Sequence, residues 1–249
     1  MTNDDGVWAP GIRALALALR RAGHDVSVIA PAHDCSGFGA ALGPLHITGK
    51  IDFERVRIDD LDAPVCAVEG PPALCVFAAC LGGFGDRPEL VVSGINLGAN
   101  TGRAILHSGT VGAALTGLGF SVPGLAVSQV VGDPQPWDVA AAIAVAVAGR
   151  VDTWPDDVVL NLNVPAGPVH GVVPAVLEGG GTVRSALIER EQGVLEWHLP
   201  ERPEPVEGTD NHWLGLGYAT ITPLHGPRAA PERVDALCVA VSESERLSA

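Results

Sequence analysis

The stretch PELVVSGINLGANTGRAILHSGTVGAA (residues 88–114) contains three successive signals of one fold class. Residues Pro88–Gly94 form an apolar run without polar alternation, which is typical of a strand covered on both faces of its sheet. A loop rich in Gly and Asn follows, and Ser108 then precedes small residues that predict a helix over Gly109–Gly117. A buried strand followed by a loop and a helix indicates an α/β protein with a largely parallel sheet.

The sequence on both sides of this stretch repeats the alternation of strands and helices. Helices are predicted over Pro10–Arg21, Pro72–Leu81 and Trp137–Gly149. Strands are predicted over DVSVIAP (25–31), APVCAVEG (63–70), GLAVSQ (124–129) and DVVLNLNVP (157–165). This order predicts a three-layer αβα, doubly wound, Rossmann-like fold with a mostly parallel sheet. Right-handed crossovers would place the loops that follow the strands along one edge, where residues from distant parts of the chain converge.

The pattern changes after about Pro165. Strands without intervening helices are predicted over VHGVVPAV (169–176), GVLEWHLP (193–200) and GYATITPL (217–224), with a Pro/Glu-rich loop at PERPEPVEGTD (200–210). The final segment RVDALCVAVSES (233–244) fits a strand and a helix equally well. We therefore predict a Rossmann-like catalytic core over residues 1–165. Residues 166–249 would form a β-rich excursion that serves as an oligomerisation arm, and a C-terminal segment that returns to the core.

Composition excludes several classes of function. The net charge is -14 over 249 residues, so nucleic-acid duplexes and anionic membrane surfaces would be repelled. One small anionic ligand remains compatible, because a metal or a helix N-terminus reverses the local field. The five cysteines include no CxxC pair, which argues against a zinc site and favours reduced thiols in a cytoplasmic protein. The sequence shows no signal peptide, and the apolar run 140–148 is too short to span a bilayer.

The N-terminal segment MTNDDGVWAPGI (1–12) places two carboxylates, Asp4 and Asp5, side by side in a turn. Adjacent carboxylates repel each other unless a cation or hydrogen-bond donors neutralise them. One interpretation is a solvated acidic turn, or Asp5 as a helix N-cap. The other is a site for a divalent cation, because ligand sets made only of oxygen suit Mg²⁺, Mn²⁺ or Ca²⁺.

Three further segments carry short polar side chains in predicted loops. Ser36 lies in the glycine-rich segment DCSGFGAALG (34–43), which is either a flexible loop or a source of a hydroxyl ligand for a cation or phosphate. Asn96 and Asn100 lie among glycines after the buried strand, with a spacing that matches neither a dinucleotide-binding fingerprint nor a P-loop. Ser108–Thr110 begin the small-residue helix, and helix N-termini bind anions through unpaired N–H groups and the helix dipole.

Together and in this order, these motifs resemble the SurE family, the survival-protein 5'/3'-nucleotidases. The resemblance rests on NDDG..APGI, VVSGIN.G.N.G, SGTV.AA, GTD and GYATITPL, and it spans the chain from Asn3 to about Leu224. It implies a metal-dependent phosphomonoesterase of the 5'-nucleotidase type that hydrolyses nucleoside monophosphates to nucleoside and phosphate. It also implies a homodimer or homotetramer built partly through an exchanged C-terminal β arm.

The resemblance further implies roles for single residues. One divalent cation per subunit, with Mg²⁺ or Mn²⁺ favoured over Ca²⁺, would be bound by Asp4, Asp5, Ser36 and Asn96. Either Asp4 or Asp5 would accept a proton from the attacking water. Substrate or its phosphate would be bound by Asn3, Gly94, Asn100, Ser108, Gly109 and Thr110. His107 beside these residues is either an acid or phosphate donor, or a packed side chain.

The sequence departs from the family pattern around the pocket. Polar residues common in the family are replaced at Ala41, Gly43 and Leu74, while His107 stands in place of a common Tyr and Thr116 in place of a common Glu. Because such surrounding residues orient ligands and tune affinity, the alternative function is a catalytically weak or inactive sensor of a nucleotide or phosphate. A third hypothesis is an unrelated α/β enzyme such as a nucleotide-sugar transferase, which its transfer products would reveal.

The resemblance also implies a hydrophobic strand immediately before NDDG, a place where this sequence has only Met1 and Thr2. Loss of about five buried apolar residues, at about 1.5–3 kcal/mol each, would be comparable to a typical net stability of about 5–15 kcal/mol. We therefore hypothesise that the natural chain starts upstream. An intact mass of the native protein that matches residues 1–249 would refute this hypothesis.

Overall fold

A computed structural model describes residues 1–179, 186–191, 193–198 and 204–229. Its helices are α1 (Pro10–Arg21), α2 (Leu45–Thr48), α3 (Pro72–Cys80), α4 (Gly109–Gly119), α5 (Trp137–Ala148) and α6 (Asp210–Gly215). Its strands are β1 (Val28–Pro31), β2 (Phe53–Val56), β3 (Val65–Val68), β4 (Val91–Leu97), β5 (Gly124–Gln129), β6 (Val158–Val164), β7 (Val172–Pro174), β8 (Ala186–Glu191), β9 (Val194–His198) and β10 (Ala219–His225). Short 3₁₀ helices cover Gly102–His107 and Val151–Thr153.

The central strands form two adjacent sheets. The first has the order β2–β3–β1, in which β1 and β3 are parallel and β2 is antiparallel to β3. The second has the order β4–β5–β6–β10–β7, parallel throughout except for the β6–β10 pair. Helix α1 packs with α5 and helix α3 packs with α4, which gives a helical layer on each face. The predicted three-layer, doubly wound, mostly parallel α/β fold is therefore confirmed.

Burial along the strands explains why this arrangement is stable. Strands β1, β3, β5 and β6 are buried over their whole length, as expected when helices cover both faces. In the main core, Val92, Leu125 and Leu160 of the sheet belong to one cluster with Leu15 of α1 and Ala144 of α5. Full burial of a Val or Leu side chain contributes about 1.5–3 kcal/mol. Within the described ranges, no helix is long and apolar enough to cross a membrane.

Residues Met1–Asn3 join the two sheets. The N–H of Ile29 donates to the carbonyl of Met1 (2.9 Å), and the N–H of Thr2 donates to the carbonyl of Val92 (3.0 Å). Thr2 thereby forms a parallel bridge with Ser93, between β1 on one side and β4 on the other. This short extended segment leads the chain into the acidic turn at the carboxyl edge of the sheet.

A cavity of about 540 Å³ lies beside Met1, between the two sheets. It is bordered by residues 24–27, which precede β1, and by residues 88–92, which lead into β4. The amino group of Met1 donates to the carbonyl of Ser27 (2.6 Å), and burial lowers the pKa of this amino group to about 6. The hypothesis that a strand precedes Met1 in the natural chain stays a prediction.

Strands β4 and β1 have boundaries that differ from the predicted ones. Strand β4 begins and ends three residues later than the predicted Pro88–Gly94, because Asn96 and Leu97 continue to pair with β5 after a register shift. Strand β1 begins at Val28, not at Asp25. The extension of β4 brings Asn96 to the end of a strand instead of into a free loop.

The C-terminal part contains both strands and a helix. Strands β7 and β10 belong to the main sheet, and β8 and β9 form an antiparallel hairpin. Helix α6 lies directly before β10, so the prediction of strands without intervening helices is wrong. The hydroxyl of Thr209 accepts from the N–H of His212 and caps this helix. The segment 233–244 lies outside the described residues, and the division of the chain at residue 165 stays a prediction.

Candidate active site and metal centre

Three loops meet at the carboxyl edge of the sheet. They follow Met1–Asn3, β1 and β4, and backbone hydrogen bonds connect them. The N–H of Cys35 donates to the carbonyl of Asp4 (2.7 Å), and the N–H of Gly39 donates to the carbonyl of His107 (3.2 Å). The loops therefore converge as the alternation of strands and helices predicts.

Asp4 lies at the N-terminus of α4. Its side chain is buried, and the hydroxyl of Thr110 donates to Oδ1 of the carboxylate. Burial raises the pKa of Asp4, while the Thr110 hydroxyl and the backbone N–H groups of Thr110 and Gly109 act in the opposite direction. The helix N-terminus thus stabilises a buried negative charge, as the helix dipole favours.

Gly109 permits this close approach. A Cβ atom at residue 109 would lie 2.7 Å from Cβ of Asp4 and 2.9 Å from its Oδ2. Real Cβ contacts are not this short, so any larger residue would displace the carboxylate or the helix. Ser108 completes the helix start, because its hydroxyl accepts from the N–H of Val111 (3.1 Å).

Asp5 is half-buried beside Asp4. Burial raises the pKa of Asp5 to about 6, with further contributions from the negative charges of Asp4 and Asp34, and the N–H of Leu97 acts in the opposite direction. This N–H lies 3.4 Å from Oδ2 of Asp5 and ties the acidic turn to the end of β4. A carboxylate whose pKa is raised by two neighbouring carboxylates lies in an electrostatic environment that a cation would stabilise.

Ser36 is exposed in the loop after β1. Its hydroxyl donates to Oδ1 of Asp34 (2.7 Å), and its N–H donates to the same oxygen (2.8 Å). Because the hydroxyl is the donor in this bond, its oxygen lone pairs remain able to ligate a cation. Sequence reasoning missed Asp34, although a third carboxylate two residues before Ser36 was visible in the DCSG segment.

The donor set at this edge suits a hard divalent cation. In the parts of the chain that the structure covers, Asp4 and Asp5 form no ion pair with a basic residue. Asn96 adds an amide group whose Nδ2 donates to the carbonyl of Gly98 (2.7 Å), so its Oδ1 would be able to ligate a cation. Among the described residues, no group of three or more His, Cys, Asp or Glu could hold a metal ion, so Ser36 and Asn96 oxygens would have to complete the set.

Three residues predicted to bind substrate hold the loops in place. Asn3 donates from Nδ2 to the carbonyl of Gly6 (3.0 Å) and closes the acidic turn. Asn100 donates from Nδ2 to the hydroxyl of Ser128 (2.8 Å). Gly94 has φ 137°, and a Cβ atom there would lie 2.2 Å from the carbonyl oxygen of Val127. Their contact with substrate stays a prediction.

Two asparagines of β6 support the same loop and were missed from the sequence. Oδ1 of Asn163 accepts from the N–H of Asn100 (2.8 Å), and the side chains of Asn161 and Asn163 donate to the Asn100 carbonyl (2.9 Å each). Their signal was the alternation of Asn in VLNLNV, because polar residues at positions i and i+2 of a buried strand share one face. They fix the backbone of the loop after β4.

The departures from the family pattern lie in different environments. Leu74 is buried in α3, and the hydroxyl of Thr116 donates to the carbonyl of Gly112 (2.8 Å) within its own helix. His107 is exposed, so the interpretation of a packed side chain is wrong. The loop that holds Ala41 also packs on α4, because a Cβ atom at Gly112 would lie 2.6 Å from the N of Ala40.

Fold and site define a doubly wound α/β protein with a candidate metal centre of oxygen ligands beside a helix N-terminus. A sequence model described as Survival protein SurE matches residues 1–179. This chain belongs to the SurE family, as its motifs indicate.

Named relatives agree with this assignment. The chain is similar to a "5'-nucleotidase SurE" of Xanthomonas axonopodis pv. citri (strain 306), with 39% identity over 236 residues, 90% of this chain and 88% of the relative. A protein of the same name from Xanthomonas campestris pv. campestris (strain B100) is 38% identical over 245 residues, again with 90% and 88% coverage. The crystal structure of the SurE protein from Aquifex aeolicus is similar with a TM-score of 0.77 and 29% identity, and covers 94% of this chain and 96% of that one.

Proposed function

We propose that this protein is a metal-dependent phosphomonoesterase of the 5'-nucleotidase type, which hydrolyses nucleoside monophosphates to nucleoside and phosphate. The observation that carries the proposal is the position of Asp4 and Asp5 at the N-terminus of α4, where Thr110 and Gly109 contact Asp4. Two relatives that are 39% and 38% identical are named 5'-nucleotidases, which supports the substrate class.

Phosphoryl transfer requires charge neutralisation and positioning more than covalent catalysis. One divalent cation per subunit, Mg²⁺ or Mn²⁺ in preference to Ca²⁺, would neutralise phosphoryl charge and acidify water when bound by Asp4, Asp5, Ser36 and Asn96. The chain itself orients these ligands. The Thr110 hydroxyl fixes Oδ1 of Asp4, and the Leu97 N–H contacts Oδ2 of Asp5.

The proton and the phosphate have separate partners in this proposal. Water oxygen attacks phosphorus, and either Asp4 or Asp5 accepts the water proton. The ester P–O bond breaks, and the nucleoside oxygen takes up a proton as it leaves; exposed His107 next to Ser108 is a candidate donor. Ser108, Gly109 and Thr110 would lie along one side of the phosphate, and the loop with Asn100 along another.

Phosphate release from a panel of nucleoside monophosphates tests the proposal. The protein is treated with EDTA and then assayed with Mg²⁺, Mn²⁺ or Ca²⁺ restored. We expect activity only after a metal is restored, and a loss of at least 100-fold in Asp5→Asn. Such a loss corresponds to about 2.7 kcal/mol of transition-state stabilisation, at 1.36 kcal/mol for each factor of ten.

Asp25→Asn is the matched control. Asp25 precedes β1 at the opposite edge of the sheet, and its side chain is fully exposed. We expect Asp25→Asn to retain wild-type activity. A folded wild-type protein that binds Mn²⁺ but releases no phosphate from any substrate would refute the enzyme proposal and favour a sensor of nucleotide or phosphate.

We also propose that the protein is a cytoplasmic homodimer or homotetramer. Support for the compartment comes from the thiols, because Cys35, Cys66, Cys75 and Cys80 are all free in the described part of the chain. Light scattering on the purified protein would test the assembly, and a monomer at micromolar concentration would refute that part of the proposal.

A further inference from the structure

The GTD motif contains a buried carboxylate that the proposed reaction does not use. Asp210 has no exposed surface, and its described partners are three backbone N–H groups. Oδ2 accepts from Gly102 (2.8 Å), whereas Oδ1 accepts from Glu178 (3.0 Å) and from Asn211 (2.9 Å). One carboxylate thus joins the C-terminal segment to the loop after β4.

The residue that Asp210 holds is the middle of a site-forming loop. Gly102 begins the 3₁₀ helix that ends at His107, directly before the start of α4 that contacts Asp4. At the other end of the loop, Asn96 and Leu97 lie next to Asp5. Both ends of this loop therefore contribute to the candidate metal centre, and its middle is fixed by Asp210 of the C-terminal segment.

A second bond reinforces the same connection. The hydroxyl of Thr101 donates to Oδ1 of Asn211 (2.9 Å), and Thr101 is itself buried. Asn161 and Asn163 also donate to Asn100. The three consecutive loop residues 100–102 are therefore all hydrogen-bonded to residues distant in sequence.

Among the described residues Asp210 forms no ion pair, and a buried carboxylate without a cationic partner is costly. Burial raises the pKa of Asp210, and its N–H partners Gly102, Glu178 and Asn211 act in the opposite direction, whereas the neighbouring Glu178 carboxylate adds to the increase. Local costs of this kind concentrate where function requires a fixed geometry.

We propose that Asp210 is a positioning residue, which fixes Gly102 and thereby the two ends of the loop that form the metal and phosphate site. The proposal rests on the function proposed above, because it assigns Asp210 to the same site. It makes the C-terminal segment a necessary support of the catalytic edge.

Asp210→Asn is the sharpest test, because it preserves shape and removes one acceptor. The amide has one oxygen, which can accept either from the N–H of Gly102 or from the N–H groups of Glu178 and Asn211. Its NH₂ group then faces an N–H donor and cannot accept a hydrogen bond from it. Glu178→Gln is the matched control: its Oε2 accepts from Thr209 (2.8 Å) and Val206 (3.1 Å) in the same buried cluster, on the side away from Gly102.

The assays are hydrogen exchange resolved at Gly102, melting temperature, and kcat and KM for p-nitrophenyl phosphate with Mn²⁺. In Asp210→Asn we expect Gly102 to exchange at least tenfold faster and kcat to fall at least tenfold, with KM within threefold, because misplaced reacting groups reduce rate more than binding. In Glu178→Gln we expect Gly102 exchange, kcat and KM within twofold of wild type.

Two results would overturn the positioning role: wild-type kcat in Asp210→Asn despite faster exchange at Gly102, or equal kcat losses in both variants. Hydrogen exchange also tests the proposal independently of activity. If wild type releases no phosphate, the enzyme proposal fails by itself. Wild-type Gly102 that exchanges as fast as an exposed amide would refute the role of Asp210 in either case.

Discussion

Filling the cavity beside Met1 should stabilise the protein. The perturbation is an extension of five apolar residues, Ile-Val-Leu-Val-Val, joined to Met1 in place of the free amino group. Five residues match the length of residues 88–92, one of the segments that border the cavity; residues 24–27 are another. Val92 lines this cavity, and its carbonyl accepts from the N–H of Thr2 (3.0 Å).

The expected gain in the free energy of unfolding has two parts, the release of the buried amino group and the burial of apolar residues. The Met1 amino group has a folded pKa of about 6, against an ordinary value of 8.0. Its burial therefore costs about 1.4 kcal/mol at pH 7 and up to about 2.7 kcal/mol below pH 6. Each apolar residue contributes about 1.5–3 kcal/mol on burial and loses about 1–2 kcal/mol of backbone entropy, so at the mid-points of these ranges five residues yield about 4 kcal/mol net. At pH 7 the sum is about 5 kcal/mol, or about 10–20 °C in melting temperature at 2–4 °C per kcal/mol.

The pH dependence has a definite sign. Between pH 6 and 8 the unfolded amino group binds more protons than the folded one, so stability falls as the pH decreases through this window. We expect the extension to remove this component, because the charged terminus leaves the cavity. Acetylation of Met1 should remove the same component without filling the cavity.

Thermal unfolding at pH 6 and pH 8 measures both effects. An extension of equal length made of Ser, Asp and Gly is the control, and we expect a lower melting temperature than with the apolar extension because the control cannot bury apolar surface. Equal melting temperatures for the apolar and polar extensions would refute the reasoning about the cavity. An unchanged difference between pH 6 and pH 8 in acetylated protein would refute the role of the Met1 amino group.

Three further predictions concern the candidate site. Gly109→Ala should weaken Mn²⁺ binding at least tenfold in calorimetry, because the added Cβ would lie 2.7 Å from Cβ of Asp4. The control Gly119→Ala should leave the Mn²⁺ affinity unchanged, because a Cβ there would have no atom within 4 Å. Equal Mn²⁺ affinities in the two variants would contradict this prediction. Thr110→Val removes a hydrogen bond to the buried Asp4 carboxylate, worth about 1.5–3 kcal/mol, and should lower kcat about 10- to 100-fold. The control Thr116→Val, in the same helix, removes a bond to the Gly112 carbonyl and should retain at least half of wild-type kcat. Mn²⁺ at 100 times its Kd should stabilise the fold by about 2.7 kcal/mol and raise the melting temperature by about 5–10 °C. Asp5→Asn should not show this increase. An equal increase in Asp5→Asn would mean that the metal binds elsewhere.

Secondary structure was predicted best from the sequence where a segment carried a single strong pattern. Helix α1 and strand β5 have their predicted bounds, because helical spacing after Pro10 and a continuous apolar run at residues 124–129 admit one interpretation. The shift of β4 was not predictable from pattern, because Gly and Asn in SGIN are typical of loops. Only pairing with β5 keeps Asn96 in a strand.

Missed elements have weak local signals and long-range causes. Strand β2 (Phe53–Val56) is a short edge strand with mostly exposed residues, so it lacks apolar alternation. Helix α6 begins inside a Pro/Glu-rich context that suggested a loop, although Thr209 is a good N-cap.

For the site, the sequence identified Asp4, Asp5, Thr110 and their neighbourhood through motifs. It did not identify Asp210, because the role of a buried carboxylate depends on which N–H groups surround it, and Gly102 is 108 residues away in sequence. Metal binding by the predicted ligands stays a prediction.

The bond between Asp4 and Thr110 also has a consequence for the order of events during synthesis. The two residues are 106 positions apart, so the first acidic residues leave the ribosome long before their partner exists. At about 5–20 residues per second, the interval is about 5–20 s, and a similar interval separates Gly102 from Asp210. A nascent chain therefore exposes an unpaired acidic turn for many seconds, and its site matures only when the second half of the protein has been made.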